Sequence, residues 1–244
     1  MADIRAKIDE KNHSFGQENL EFVEKGFQLS EMLQAMVVDR MNKHWYKDCT
    51  TIMTADFDDI AVGIDAVMKG RNGDYLGTSF DFTVSNKEKI LEEKLKNHWE
   101  KSVKEGKIPI VKYFEDPDTH KKGSLLVPKF IIGASKRDVE ELAAAYLSDD
   151  IETLENHPFK YVLLLQIEEQ LQTALDYYAT QADNASVQFA KTNYERIQTL
   201  LRIMKNQIHL DENIQNHDLY EYSRSNIALE TMRRFRITKG NSPL

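Results

Sequence analysis

Two short stretches of this chain hold carboxylates where apolar residues are expected. In Asp58-Asp59-Ile-Ala-Val-Gly63-Ile-Asp65-Ala-Val, Asp65 stands between Ile64 and Ala66; in Tyr75-Leu-Gly-Thr-Ser-Phe-Asp81-Phe-Thr83, Asp81 is flanked by Phe80 and Phe82. A carboxylate in an apolar strand is unfavourable unless it is paired, hydrogen-bonded or bound to a cation. Two such acids on adjacent strands stand side by side, and left alone they repel and raise each other's pKa. A divalent ion between them removes both penalties, and an all-oxygen donor set favours Mg²⁺ or Mn²⁺ over zinc. Asp59, six residues before Asp65, shares its face if the strand is continuous, whereas its neighbour Asp58 points the other way. Both are also ordinary turn residues. Gly63 allows a bulge or a close approach beside Asp65.

The elements that position these acids are legible from pattern. A first helix is expected from Gln17 to Tyr46, buried on much of its circumference. Strands follow at Thr50–Thr54, Ile60–Lys69 and Tyr75–Val84, with Asp56-Phe-Asp-Asp as a turn and Arg71-Asn-Gly-Asp as a hairpin turn. Ser85 is an N-cap for a second helix, Lys87–Glu105, which Gly106 stops. Strands at Ile108–Phe114 and Leu125–Gly133 and a helix at Lys136–Leu147 complete an α/β layer. Its mixed central sheet has helices on both faces. Residues 150–236 contain no glycine and only one proline, Pro158, so they read as helices. Pro158–Thr180 and Ser186–Ile208 form an antiparallel hairpin, and a shorter helix spans Asp218–Phe235. The expected organisation is an N-terminal segment (1–16), an α/β core (17–148) and a helical C-terminal extension (149–244). That extension is either an added layer over the sheet or an arm for a homodimer or a protein partner.

The order helix, three strands, helix, strand, with an acid on the second strand and another on the third, resembles the PD-(D/E)XK, or restriction-endonuclease-like, nuclease superfamily. The resemblance covers roughly Glu18 to Phe114. It implies a metal-dependent nuclease in which Asp65 and Asp81 hold the metal and a glutamate from the first helix assists. The acid-x-lysine of that family is here Asp81-Phe82-Thr83, and a threonine hydroxyl supplies no positive charge. Either the domain is inactive or another cation acts. On the second helix, Lys94 falls between Ile90 and Leu91 on the apolar arc and is the replacement of choice; Lys87 and Lys101 lie near the arc's edge. The same wheel puts Glu31 within the arc of Leu20, Phe27 and Val38, which makes it the helix-borne acid, with Glu24 second.

The remaining composition narrows the classes. The 244 residues carry 32 Lys plus Arg against 40 Asp plus Glu, a net charge of −8, which argues against nonspecific coating of nucleic acid but not against a local carboxylate-built site. The single cysteine, Cys49, makes no intrachain disulfide and no thiol zinc framework. The apolar runs are too short for a membrane span and the first fifteen residues lack a signal core, so a cytoplasmic protein is expected. No phosphate-binding glycine loop, dinucleotide fingerprint or serine elbow occurs. Near the C-terminus Arg224, Arg233, Arg234, Arg236 and Lys239 face only Glu230, and Lys121, Lys122, Lys136 and Arg137 flank the fifth strand; these are candidate phosphate contacts for nucleic acid. Three readings stand: a Mg²⁺- or Mn²⁺-dependent nuclease, a catalytically inactive protein- or nucleic-acid-binding module on the same fold, and a structural α/β protein whose acids are satisfied by Lys or Arg. The nuclease reading requires Asp65 and Asp81 to face the same side of the sheet.

Overall fold

A computed structural model describes residues 17–70, 77–84, 88–116, 119–181, 185–209 and 216–240, with the side chains of the first helix described from Leu29 onward. The expected turn at 71–74, Ser85, Lys87, the 1–16 segment and the side chains of Glu24 and Lys239 lie outside these residues. In chain order the elements are α1 (Gln17–Arg40, prolonged by a π-turn, Met41–Trp45), β1 (Cys49–Met53), α2 (Asp56–Val62), β2 (Ala66–Gly70) and β3 (Thr78–Val84). Then come α3 (Glu88–His98, prolonged by Trp99–Lys104), β4 (Ile110–Glu115), β5 (Lys122–Leu126), β6 (Lys129–Ala134) and α4 (Lys136–Leu147). The chain continues with α5 (Ile151–Asn156), α6 (Phe159–Thr180), α7 (Ala185–Gln207), α8 (His217–Ser225) and α9 (Ile227–Gly240).

The class is α/β, with a mixed four-stranded sheet in the order β1-β2-β3-β6. β1, β2 and β3 pair antiparallel, whereas β3 runs parallel to β6 from Ser79↔Lys129 to Val84↔Ala134. A parallel neighbour needs a crossover, and α3 supplies it. β4 and β5 form a separate antiparallel hairpin within that crossover.

Three expectations change. Asp56–Val62 is a helix rather than a turn and the start of a strand, because three aspartates in its first turn suit a helix N-terminus. Gly63, at φ +65°, ends that helix in the left-handed region, and the strand begins only at Ala66. Leu125–Gly133 is two strands, since Val127-Pro128 interrupts it and proline has no N–H for a ladder. The strand that completes the main sheet is therefore β6, not Ile108–Phe114.

The two sheet faces differ. On one, Phe80 and Phe82 of β3 and Phe130 and Ile132 of β6 share a single buried cluster with Leu33, Val37 and Met41 of α1 and with residues of α6 and α7. Each fully buried side chain of this size contributes about 1.5–3 kcal/mol. The boundary expected at 148/149 thus separates no cores: the C-terminal helices build the sheet's own core because the glycine-free segment supplies its missing apolar layer. On the other face two small clusters form. Leu91 and Leu95 of α3 pack with Ile131, Ala228 and Met232. Ile64 and Val67 pack with Val111 and Val127 at the hairpin. β3 lies between them, so its polar residues occupy the gap. Ser135 caps α4 in a reciprocal capping box with Asp138. Among the described residues no helix is long and apolar enough to cross a membrane.

The outer edge of β6 is closed by side chains of α6. Gln166 accepts from Gly133 N–H and donates to its carbonyl, both at 2.8 Å. Gln170, one turn on, does the same at Ile131, at 2.9 and 2.8 Å. Removing one amide leaves a buried N–H and C=O unpaired. Gln166→Met is expected to lower stability by about 1–3 kcal/mol in denaturant unfolding, with faster hydrogen exchange at Gly133.

Candidate active site

Asp65 sits where the chain leaves α2 and enters β2. Gly63 turns it; a Cβ there would lie 3.4 Å from Asp81 Oδ2 and 3.5 Å from Lys129 Nζ. The backbone at Asp65 is pinned from three sides. Its carbonyl accepts from Thr54 N–H at 3.0 Å and from the Gln34 amide of α1 at 3.0 Å. Its N–H donates to Phe80 O at 2.8 Å. Its carboxylate accepts from Phe82 N–H. Asp65 is thus hydrogen-bonded to the residues on either side of Asp81, and the two acids face the same side of the sheet, close enough to repel.

Two lysines answer that charge. Lys94 Nζ, from α3, lies 2.8 Å from Asp81 Oδ1. Leu91 and Leu95, buried beneath the helix, turn Lys94 toward the strand. Lys129 Nζ, from β6, lies 3.4 Å from Asp81 Oδ2 and donates to Val62 O at 3.2 Å and Gly63 O at 3.3 Å. Among the described residues no Lys or Arg pairs with Asp65. Its carboxyl is pushed up to about 8, by burial first and then by the charge of Asp81, with Phe82 N–H opposing and Asp59 adding to the rise. The protonated Asp65 shares a hydrogen bond with Asp59. His98, one turn past Lys94, is held down to about 3 by burial and then by Lys129, against the pull of Asp81.

The sequence-predicted residues divide accordingly. Asp65, Asp81, Lys94 and Asp59 come together. Asp59 does so for another reason than strand alternation: it lies in α2, and the Gly63 turn folds it back beside Asp65. Asp58 instead is buried and accepts from Lys112 N–H and Tyr113 N–H at 2.8 and 3.0 Å, anchoring the β4–β5 hairpin. Thr83 is buried on β3 opposite Gly133, beyond Asp81 on the same face.

Glu31 is exposed, contrary to expectation. The side of α1 that meets the sheet is marked by Ser30, which accepts from Val84 N–H, and by Gln34; Glu31 lies about 100° round from Ser30. The arginines are not a free basic patch either. Arg233 and Arg236 pair with Glu169, Arg236 also with Asp176, and Arg234 with Glu88 and Glu230, because α9 lies against the acidic flanks of α6 and α3. Lys122, Lys136 and Arg137 pair with Glu115, Glu140 and Glu141.

Lys129, Gln34 and the buried part played by His98 are new. Lys129 carries the same signal that marks Asp65 and Asp81, a charge inside an apolar run, Leu-Val-Pro-Lys-Phe-Ile-Ile.

The oxygen donors at the cluster are those of Asp65 and Asp81 and the carbonyls of Val62 and Gly63, with the buried His98 imidazole near Asp81 and Lys129. These oxygens suit a hard divalent ion, which would favour the charged form of Asp65 that burial and the neighbouring Asp81 charge oppose. Among the described residues, no group of three or more His, Cys, Asp or Glu side chains is placed to hold a metal ion. Any ion here would be held by two carboxylates and backbone oxygens.

The two perturbed groups give stability opposite slopes with pH. From about pH 4 to about 8 the unfolded chain releases the Asp65 proton that the fold keeps, so this group lowers stability as pH rises through that window. From about 6.5 down to about 3 the unfolded chain binds a His98 proton that the fold refuses, so stability falls as pH drops. Asp65→Asn is expected to flatten the alkaline limb and His98→Gln the acid limb of a stability–pH curve measured by denaturant midpoint.

Searches of protein-family models, curated proteins and solved structures find no match to this chain.

Proposed function

We propose that the protein is a divalent-metal-dependent nuclease-like enzyme that hydrolyses phosphodiester bonds in nucleic acid. The observation that carries this reading is the Lys94 ammonium 2.8 Å from Asp81, with Asp65 hydrogen-bonded to the residues flanking Asp81. Two acids and a lysine form one cluster although the third strand reads Asp-Phe-Thr. The succession α1, β1–β3, α3, β6 supports a restriction-endonuclease-like core, with the β4–β5 hairpin as an insertion in the crossover.

Asp65 and Asp81 would hold Mg²⁺ or Mn²⁺, with Asp59 beside Asp65. When bound, the ion would supply Lewis acidity toward a phosphoryl oxygen and toward the attacking water. Lys94 reaches the cluster from the solvent side, its side chain 38% exposed, and orients the water or the scissile phosphate. Gln34 fixes the Asp65 backbone, and Phe82 N–H fixes the Asp65 carboxylate.

A second reading is favoured by one specific observation. Both Asp81 oxygens are already met by lysines, the arrangement expected of an inactive fold that serves as a protein- or nucleic-acid-binding module. The assay that separates the two is incubation with single- and double-stranded DNA and RNA in Mg²⁺ or Mn²⁺. The nuclease reading expects cleavage that falls at least about 100-fold in Asp65→Ala and Asp81→Ala and by a similar factor in Lys94→Ala. Cleavage that survives both aspartate substitutions would overturn the site assignment, and no cleavage of any substrate would leave the binding module.

A further inference from the structure

Lys129 is held differently from Lys94. Its Nζ contacts three oxygens, Val62 O, Gly63 O and Asp81 Oδ2, at 3.2, 3.3 and 3.4 Å. One is the last carbonyl of α2 and the other that of its cap, Gly63; both lie at the helix C-terminus, where carbonyls lack intrahelical partners. The left-handed Gly63 brings its carbonyl and the Asp81 carboxylate to the same ammonium. The side chain of Lys129 is 14% exposed, so the ammonium has given up most of its water for these oxygens. All three contacts are long for charge-assisted hydrogen bonds, whereas Lys94 meets Asp81 at 2.8 Å. A carboxylate and two carbonyls, with Asp65 alongside, form an all-oxygen cation pocket of the kind hard divalent ions occupy.

We propose that the Lys129 ammonium is the resident cation of this pocket, seated where a divalent ion would bind, so that metal enters only as Lys129 withdraws. The proposal rests on the reading of Asp65 and Asp81 as metal ligands. It makes Lys129 a competitor of the metal, in contrast to a lysine that assists it. The withdrawn side chain keeps its charge at the edge of the site.

The test is Mn²⁺ titration of the full-length wild type, Lys129→Met and Lys129→Arg by calorimetry, with thermal unfolding alongside. Methionine keeps the stem and removes the charge; arginine keeps the charge. Lys129→Met is expected to bind Mn²⁺ at least tenfold more tightly than wild type. It should melt lower without metal and recover with Mn²⁺, while wild type and Lys129→Arg shift little. Should Lys129→Met not fold, Lys129→Gln, whose amide still donates to the two carbonyls, serves in the same titration. Affinity that is unchanged or weakened without the ammonium, or no Mn²⁺ binding by either neutral variant, overturns the proposal. Tighter binding without cleavage of any nucleic acid sustains it and removes the nuclease reading. Cleavage with unchanged affinity does the reverse.

Discussion

Strand β3 has Phe80 and Phe82 on one face and Ser79, Asp81 and Thr83 on the other, and burial of the phenylalanines decides where the polar residues must sit. The aromatic face is taken into the main core by α1, α6 and α7. The polar face cannot be covered the same way, because an acid under a continuous apolar layer would be too unfavourable. The molecule solves this with two separate small clusters, one over β6 and one over β2, which leave β3 uncovered by apolar side chains between them. The site is thus a consequence of sheet order: only the strand between the two patches can carry Asp81.

Within that gap, charge is distributed unevenly. Asp81 has two lysines and Asp65 has none, so one acid is compensated while its neighbour keeps its proton. Lys94 is aimed by the apolar residues on either side of it on α3, and Lys129 by the β3–β6 register, which places it beside Ser79. Neither lysine depends on the other element for its position. A fold that brings independent cations to one carboxylate from a helix and from a strand has redundancy in holding Asp81. Among the described residues Asp65 has no such cation and is held instead by hydrogen bonds to Thr54, Gln34, Phe80 and Phe82 beside a glycine turn.

Much of this was legible in the sequence. The alternation of Phe and polar residues in β3, the helical C-terminal half, and the isolation of Asp65 and Asp81 in apolar surroundings are local signals, and local signals survive into the fold. Lys94 was reachable because helical periodicity alone assigns its arc. Glu31 is misplaced because a wheel groups apolar positions but does not say which arc of the helix meets the sheet, here the side of Ser30 and Gln34. Strand alternation places Asp59 beside Asp65 for the wrong reason, since Ile60–Val62 reads equally well as strand or helix and only the three preceding aspartates favour the helix. Lys129 was missed because Leu125–Gly133 reads as one strand, and a lysine after proline in such a run looks like an edge residue. The pairing of the C-terminal arginines depends on where α9 docks, a long-range fact that no local pattern contains.

The glutamine pair on α6 has a consequence for the sheet as a whole. Gln166 and Gln170 offer β6 the alternating acceptors and donors that a fifth strand would have offered, but from a helix. A helix repeats every 5.4 Å and a strand every two residues at roughly 6.6–6.8 Å, so the match can be kept only over one helical turn. The amides meet Ile131 and Gly133 and no further. Over Ile131–Gly133 the sheet therefore ends by mimicry, its outward hydrogen-bonding groups taken by a helix where another chain's strand would pair.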